Sequence, residues 1–134
     1  MIGLDTNVLI RYITQDDPVQ SALANEFIES QLSDERPGVI SHIVLCEIGW
    51  VLSRAYRYSR DQIADVLNAL LTCREFKVES SDMAILALQD FRRGGADFSD
   101  YLLARVHQRL GADYTVTFDR KATDGEQFRL LTST

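Results

Sequence analysis

Four acidic residues follow or interrupt short apolar runs, and their side chains are the ones best suited to do chemistry. These residues are Asp5, Glu47, Asp100 and Asp119. Carboxylates that are brought together repel one another unless a cation or shared protons neutralise them. Ligand sets made only of oxygen favour Mg²⁺, with Mn²⁺ as the alternative. If the fold gathers these four side chains, the sequence predicts a magnesium site.

Hydroxyl and amide side chains stand next to two of these acids. Thr6 and Asn7 directly follow Asp5, and hydrogen bonds from them can orient a metal-binding carboxylate. Thr117 lies two residues before Asp119, where its hydroxyl can contact substrate or a water on the metal. We therefore predict that Thr6, Asn7 and Thr117 support the site.

Each acid also has an ordinary structural explanation. Asp97 and Asp100 are three residues apart at a helix start, and complementing the helix dipole explains one of them more easily than two. Asp5 stands where a helix cap is expected, and Asp119 stands where a turn residue is expected. Glu47 can be a surface residue at the edge of an apolar stripe. No single acid establishes a site, so the prediction rests on the whole set.

Short apolar runs alternate with amphipathic stretches, which is the pattern of strands separated by helices. The predicted strands cover residues 2–4, 37–41, 76–78, 114–117 and 128–131. The predicted helices begin at capping residues, namely Asp5, Asp17, Ser41, Ser59, Ser81 and either Asp97 or Ser99. This order predicts an α/β fold in which one parallel sheet is covered by helices on both faces. Ligands bind at the carboxyl ends of such strands, where Asp5 and Asp119 fall.

Helical spacing of apolar residues predicts which helix faces are packed. For the helix after Asp17 the predicted face consists of Val19, Ala22, Leu23, Phe27 and Ile28. For the helix after Asp97 it consists of Leu102, Leu103, Val106 and Leu110. With 46% hydrophobic residues in 134, the chain is long enough to bury a core, and we expect residues 1–134 to form a single domain.

The net charge of −6 argues against a broadly basic surface, which is the usual electrostatic footprint of a nucleic-acid binder. Part of that charge belongs to the predicted metal ligands. Arg54, Arg57 and Arg60 follow Glu47 in the sequence, so a local basic rim can coexist with an acidic chain.

The two cysteines, Cys46 and Cys73, lack the spacing of a zinc site or a disulfide framework. We expect buried thiols in a reducing compartment. No apolar run approaches the roughly 20 residues that cross a bilayer, and no signal peptide opens the chain. The sequence therefore predicts a cytoplasmic protein without a membrane segment.

Four segments in this order strongly resemble the PIN-domain ribonucleases. They are residues 4–10 (LDTNVLI), the helix around Glu47, residues 95–104 (GADFSDYLLA) and residues 115–121 (TVTFDRK). The resemblance runs from residue 1 to about residue 131, and among these enzymes it is greatest to VapC-type toxins of toxin–antitoxin pairs. The ordered set is far more specific than any one segment.

The resemblance implies a fold, a site and partners. The implied fold is a three-layer α/β/α sandwich with a central parallel sheet. The implied acidic quartet is Asp5, Glu47, Asp100 and Asp119, with Asp97 second to Asp100 as the third acid. The implied activity is Mg²⁺-dependent hydrolysis of RNA, and the implied partners are a cognate antitoxin and a second copy of the chain.

Two other functions remain open at this stage. A small-molecule phosphohydrolase would use Asp5 as the phosphoryl acceptor, although Asn7 stands where haloacid-dehalogenase-like enzymes place a second aspartate. A catalytically silent module would use the same fold only to bind a protein partner. Intact acids argue against the silent module, and the absence of metal binding would favour it.

Overall fold

The computed structural model describes residues 1–132. The chain divides into two compact units, Met1–Ser81 and Asp82–Thr134. Each unit contains helices and a set of parallel strands. Within the described residues, no helix is both long enough and apolar enough to cross a membrane.

The first unit consists of three short parallel strands and four helices. Its elements are β1 (Ile2–Gly3), α1 (Thr6–Thr14), α2 (Pro18–Gln31), β2 (Gly38–Ile40), α3 (His42–Arg54), α4 (Arg60–Thr72) and β3 (Phe76–Val78). The strands lie in the order β1-β2-β3, and Gly38 of β2 pairs with Ile2 on one side and Phe76 on the other. All three strands run in the same direction, so their carboxyl ends share one edge.

Side-chain caps begin the helices of this unit where the sequence predicts them. Asp17 accepts a hydrogen bond from the backbone N–H of Gln20 at 3.0 Å, and Pro18 occupies the first helical position. Ser41 begins α3 by accepting from Val44 at 3.2 Å. The side chain of Ser59 and the residue three positions after it form a reciprocal capping box at the start of α4.

The sequence predicts an apolar stripe on α3 that consists of Val44, Leu45, Ile48, Val51 and Leu52. The structure confirms it except at Val51, which is only partly buried, and the other four side chains belong to the core of the first unit. The largest fully buried side chains among the described residues also belong to this unit, and they are Leu9, Ile10, Ile40, Leu45, Ile48, Leu52 and Leu67. Burying a side chain of this size contributes about 1.5–3 kcal/mol.

The predicted packing face of α2 is largely wrong. Val19 and Leu23 are 71% and 67% exposed, and the helix buries Ser21, Ala24 and Ile28 instead. The reason is that Ser21 tolerates burial, because its hydroxyl donates a hydrogen bond to the backbone carbonyl of Arg11 at 2.9 Å. Of the five predicted residues, only Ile28 is fully buried.

The second unit contains two long helices, a short 3₁₀ helix and two strands. Its elements are α5 (Ser81–Arg93), α6 (Phe98–Arg109), β4 (Thr115–Thr117), the 3₁₀ helix Arg120–Asp124 and β5 (Phe128–Leu130). The two strands are parallel, and Thr115 pairs with Phe128. Every strand pair in the described residues is therefore parallel, which confirms the predicted α/β class. The described strands form a three-stranded and a two-stranded sheet, where the sequence predicts one.

The predicted packing face of α6 is also partly wrong. Leu102 is buried, but Leu103 is 45% exposed and Leu110 is 80% exposed. The face that packs includes Phe98 and Tyr101, whose aromatic rings bury more apolar surface than the leucines that point outward. Phe98 meets Phe91 of α5 edge to face, with ring centroids 6.2 Å apart.

Gly94 directly follows α5, and its φ is not positive. Glycine is required at this position because the Tyr101 side chain approaches its backbone. A Cβ atom at this position would lie 1.8 Å from the Tyr101 hydroxyl oxygen, which also accepts a hydrogen bond from the N–H of Ala96 at 3.2 Å. Because Tyr101 is buried, it cannot move aside freely.

We expect Gly94→Ala to destabilise the protein by about 1–3 kcal/mol through overpacking. Gly95→Ala is the matched control, since the nearest atom to its added Cβ would be 3.7 Å away. Urea unfolding of both variants measures the difference in the free energy of unfolding. Equal stability of the two variants would show that Tyr101 does not constrain position 94.

Candidate active site

Asp5 lies directly after β1 and begins α1. Its Oδ1 accepts a hydrogen bond from the backbone N–H of Thr6 at 2.9 Å, and its side chain is exposed. Within residues 1–132 no donor bonds to its other carboxylate oxygen, Oδ2. Asp5 therefore acts as a helix cap through one oxygen and keeps the other available to a ligand.

The Thr6 hydroxyl is the second unusual feature of this segment. Thr6 is 4% exposed, and its Oγ1 is buried without a hydrogen-bond partner among the described residues. Leaving a buried hydroxyl unsatisfied costs about 1–3 kcal/mol. The hydrogen bond to Asp5 comes from the Thr6 backbone rather than its side chain, and Asn7 is exposed. A buried polar atom that lacks a partner beside an open carboxylate fits a site that binds a polar ligand or ion.

The carboxyl ends of β1, β2 and β3 are aligned by hydrogen bonds. The N–H of Leu4 donates to the carbonyl of Val39 at 3.0 Å, and the N–H of Glu79 donates to that of Ile40 at 2.9 Å. The Glu79 side chain then accepts from the backbone N–H of His42 at 2.9 Å, at the start of α3. Glu79 is an acid that the sequence analysis missed. The only sequence signal for it is its place immediately after a strand.

Glu47 lies in the second turn of α3 and is half-buried between buried neighbours of the apolar stripe. No described residue in the range 1–132 donates a hydrogen bond to its carboxylate. A partly buried carboxylate without a partner is costly, because the charge loses hydration and gains nothing in return. Glu47 is thus a second acid of the first unit whose carboxylate is available to a ligand.

In the second unit, Asp97 and Asp100 lie at the start of α6. Asp100 Oδ2 accepts a hydrogen bond from the Asp97 backbone N–H at 3.1 Å. The Asp100 side chain therefore satisfies a backbone donor at the N-terminus of α6. Asp100 is half-buried, whereas Asp97 is exposed. Burial raises the pKa of Asp100, and the charges of Asp97 and Asp119 act in the same direction, while the hydrogen bond from Asp97 opposes the rise.

Asp119 follows β4 and is held by the backbone on both sides. Its Oδ1 accepts from the Lys121 N–H at 2.9 Å, and its own N–H donates to Thr117 Oγ1 at 3.0 Å. The Thr117 hydroxyl therefore fixes the backbone that carries Asp119. Because Asp119 contributes to the raised pKa of Asp100, the carboxylates of the second unit share one electrostatic environment.

The five predicted acids are divided between the two units. Asp5 and Glu47 belong to the first, and Asp97, Asp100 and Asp119 belong to the second. Among residues 1–132, no three acidic, histidine or cysteine side chains are grouped to hold a metal ion. The unpartnered Thr6 hydroxyl in the first unit, and separately the partly desolvated Asp100 in the second, are each oxygen groups of the kind that a hard cation prefers.

The two cysteines are not among the predicted site residues. Cys46 and Cys73 are both partly exposed, which corrects the expectation of buried thiols. The Cys73 thiol donates to Glu75 Oε2 at 2.8 Å, and burial with this hydrogen bond raises the pKa of the thiol. A raised thiol pKa lowers the thiolate fraction, so Cys73 is a poor nucleophile at neutral pH.

Comparison with known proteins identifies the family. The PIN domain family model matches residues 2–125, a range that includes all five acids and parts of both units. A VapC ribonuclease from Aquifex aeolicus (strain VF5) is 23% identical over 118 residues, which cover 88% of this chain and 87% of that protein. The match confirms the resemblance to PIN domains and, with the parallel strands, the expected α/β/α fold. The chain belongs to the PIN-domain family.

Proposed function

We propose that this protein is a metal-dependent endoribonuclease of the VapC type, which hydrolyses phosphodiester bonds of RNA as the toxin of a toxin–antitoxin pair. The observation that carries the proposal is the state of Asp100, a half-buried carboxylate whose pKa is raised by burial and by two neighbouring acids. Such an arrangement favours a bound cation. The PIN match over residues 2–125 and the similarity to a VapC ribonuclease support the reaction class.

The proposed metal ligands are the carboxylates of Asp5, Glu47, Asp100 and Asp119, with Asp97 as the alternative to Asp100. The proposed ion is Mg²⁺, and Mn²⁺ has the same preference for oxygen ligands. When bound, the ion lowers the pKa of water and offsets negative charge on the phosphate. Thr6 and Asn7 support the site beside Asp5, and Thr117 supports it by fixing the backbone of Asp119.

The acids also determine when RNA binds. Without a cation, clustered carboxylates repel the phosphates of RNA, so affinity in EDTA should be weak. With a cation, the same acids orient the ion, while nearby arginines contact flanking phosphates. Single-stranded or looped RNA is the expected substrate, because its unstacked bases are accessible to side chains.

Thr117→Val should lower metal affinity and cleavage about 10–100-fold, because it removes the acceptor that fixes the Asp119 backbone. Thr117→Ser keeps the hydroxyl and should retain most of the activity. The measurement is the Mg²⁺ concentration that gives half-maximal cleavage for each variant. If Thr117→Val and Thr117→Ser required the same Mg²⁺ concentration, Thr117 would not support the site.

The experiment that tests the function is cleavage of a mixed pool of structured RNAs by the full chain, with Mg²⁺ or with EDTA. Hydrolysis by water leaves linear phosphate ends, whereas attack by the RNA 2′-hydroxyl leaves cyclic ends. We expect cleavage with Mg²⁺ alone and linear ends. Cleavage that persists in EDTA, or that leaves cyclic ends, would contradict the proposal.

The same preparation distinguishes the other functions. A phosphohydrolase with Asp5 as the phosphoryl acceptor would form an acyl phosphate, which borohydride reduction traps. A silent binding module would bind no divalent ion and cut no RNA. We expect neither result, because the acids are intact and Asn7 replaces the second aspartate of the phosphohydrolase pattern.

A protein partner is supported by an apolar groove in the first unit. The groove has a volume of about 430 Å³ and is lined by α1 and α2, including Val8, Leu23 and Phe27. Leu23, which lines the groove, is 67% exposed. Exposed apolar surface of this kind marks binding sites for proteins. We propose that the cognate antitoxin binds here, and we retain a homodimer and a cytoplasmic location as predictions.

A further inference from the structure

One face of α3 continues from Glu47 with residues that suit RNA. Trp50 and Arg54 follow Glu47 at three and seven positions, so the three side chains lie along one side of the helix. With a rise of about 1.5 Å per residue, Trp50 is about 4.5 Å and Arg54 about 10.5 Å beyond Glu47 along the axis. The face therefore extends from a proposed metal ligand over the length of a few nucleotides.

The Trp50 ring is accessible where a core residue would be buried. Trp50 is 39% exposed, and the Arg54 guanidinium carbon lies 5.9 Å from its ring centroid. That distance is at the outer limit of a cation–π contact. A large aromatic ring held open beside a cation is the arrangement on which unstacked bases stack.

The loop after α3 presents a second cation. Arg57 has a positive φ of 56° and is exposed. The neighbouring Tyr56 hydroxyl donates to Asp16 Oδ2 at 2.5 Å and accepts from Arg11 Nη1 at 3.0 Å. The backbone N–H of Tyr58 donates a hydrogen bond to the carbonyl of Leu52 in α3 at 2.9 Å. Both ends of the turn are thus braced, and Arg57 is held at its tip.

These cations are not used within the first unit. Among residues 1–132, no carboxylate forms an ion pair with Arg54 or Arg57. In a chain with a net charge of −6, two unpaired guanidinium groups beside an open tryptophan are complementary to an anionic ligand that carries aromatic bases. A folded protein partner would be expected to cover the apolar ring and leave the guanidinium groups at the rim.

We propose that Trp50, Arg54 and Arg57 form a single-stranded RNA track that leads to Glu47. Trp50 stacks on a base near the scissile phosphate, and Arg54 and Arg57 contact phosphates on one side of it. This inference rests on the proposed nuclease function. It assigns Trp50 as a positioning and specificity residue rather than a metal ligand.

The chain contains one tryptophan, so intrinsic fluorescence reports Trp50 alone. We would titrate the full-length wild-type protein in Mg²⁺ with an unlabelled mixed-sequence 12-nucleotide RNA analogue whose linkages resist hydrolysis, so that no cleavage occurs. Stacking should quench the emission saturably. An RNA of the same length with abasic residues should bind more weakly and quench little.

Variants test the contacts separately. Trp50→Ala should weaken binding of a labelled 12-mer about 5- to 100-fold, and Trp50→Phe should recover part of the loss. Each of Arg54→Gln and Arg57→Gln should reduce the slope of log affinity against log salt by about 0.7. Arg36→Gln is the matched control, since it removes an exposed cation from the Ser33–Arg36 turn and should leave the slope unchanged.

The outcomes separate this inference from the nuclease proposal. The RNA track would be overturned if the wild-type protein cut RNA but RNA did not quench Trp50, and if Trp50→Ala bound RNA as tightly as wild type. These results would leave the nuclease proposal intact. If RNA quenched Trp50 but the wild-type protein cut no RNA, the result would support the track and count against the nuclease. A shift of Trp50 emission with protein concentration alone would show that a second copy covers this face, which also overturns the inference.

Discussion

Asp5→Asn should abolish RNA cleavage while the protein remains folded. The substitution preserves shape and the acceptor for the Thr6 N–H, but it removes one negative charge from the proposed metal ligands. Metal catalysis contributes several kcal/mol to phosphodiester hydrolysis, and each 1.36 kcal/mol corresponds to a factor of ten. We therefore expect a loss of at least about 100-fold, and the same for Asp119→Asn.

The measurement is the initial rate of Mg²⁺-dependent cleavage by wild type and variants prepared identically, with folding checked by circular dichroism. Asp34→Asn is the control, because it makes the same chemical change at an exposed position outside the site. The control should cut at the wild-type rate. Undiminished activity in both Asp5→Asn and Asp119→Asn would contradict the assigned site.

Asp100→Asn should raise the stability of the metal-free protein and lower RNA cleavage. This combination distinguishes it from Asp97→Asn. The Asp100 carboxylate is half-buried near two other acids, so removing its charge should stabilise the metal-free protein. An asparagine oxygen can still accept the Asp97 N–H, so the capping bond is retained. Metal binding and cleavage should nevertheless fall by at least about 100-fold, whereas the exposed Asp97 should matter less.

The pH dependence follows from the direction of the shift. The folded-state pKa of Asp100 lies above its ordinary value of 3.8, so between these two values the folded protein binds the proton more tightly than the unfolded chain. The contribution of this group to stability is fully present below the ordinary value and is lost as pH rises through the folded-state pKa. In EDTA, the excess Tm of Asp100→Asn over wild type should therefore grow with pH and level off above the folded-state pKa of Asp100.

Thermal unfolding with and without Mg²⁺ measures both effects. Wild type and Asp97→Asn should gain Tm when Mg²⁺ is added, and Asp100→Asn should gain little. If Asp97→Asn lost the Mg²⁺ shift while Asp100→Asn kept it, the roles of the two residues would be reversed.

Element boundaries were the most predictable part of the fold, because they depend on local chemistry. Asp17, Ser41 and Ser59 cap helices as their sequence positions indicate, and α5 covers Ser81–Arg93 as predicted. A cap needs only one side chain and a backbone N–H two or three residues away. Such information is fully contained in the sequence.

Packing faces were less predictable, because they depend on distant residues. Apolar spacing on α2 and α6 fits more than one face, and the structure selects the faces with Ser21 on α2 and with Phe98 and Tyr101 on α6. The Ser21 hydroxyl is satisfied by a carbonyl of another helix, which no local pattern reveals. The need for glycine at position 94 likewise comes from the side chain of Tyr101, seven residues away.

For the site, the sequence predicted residue types better than contacts. The hydrogen bond between Thr117 and Asp119 and the capping of Asp97 by Asp100 follow from short spacings. The unpartnered Thr6 hydroxyl and the capping role of Glu79 depend on burial and on strand alignment. Neither is visible in a motif.

The most direct test of the proposed metal site is Mn²⁺ binding followed by electron paramagnetic resonance, in wild type and in Asp5→Asn, Glu47→Gln, Asp100→Asn and Asp119→Asn. We predict that each substitution weakens the same binding event at least about tenfold. The Asp5→Asn/Asp100→Asn double variant should lose less than the sum of the two single losses, since residues of one site are coupled. Mn²⁺ binding that is unchanged by any one of the four substitutions, or losses that add independently, would contradict a single site built from these four acids.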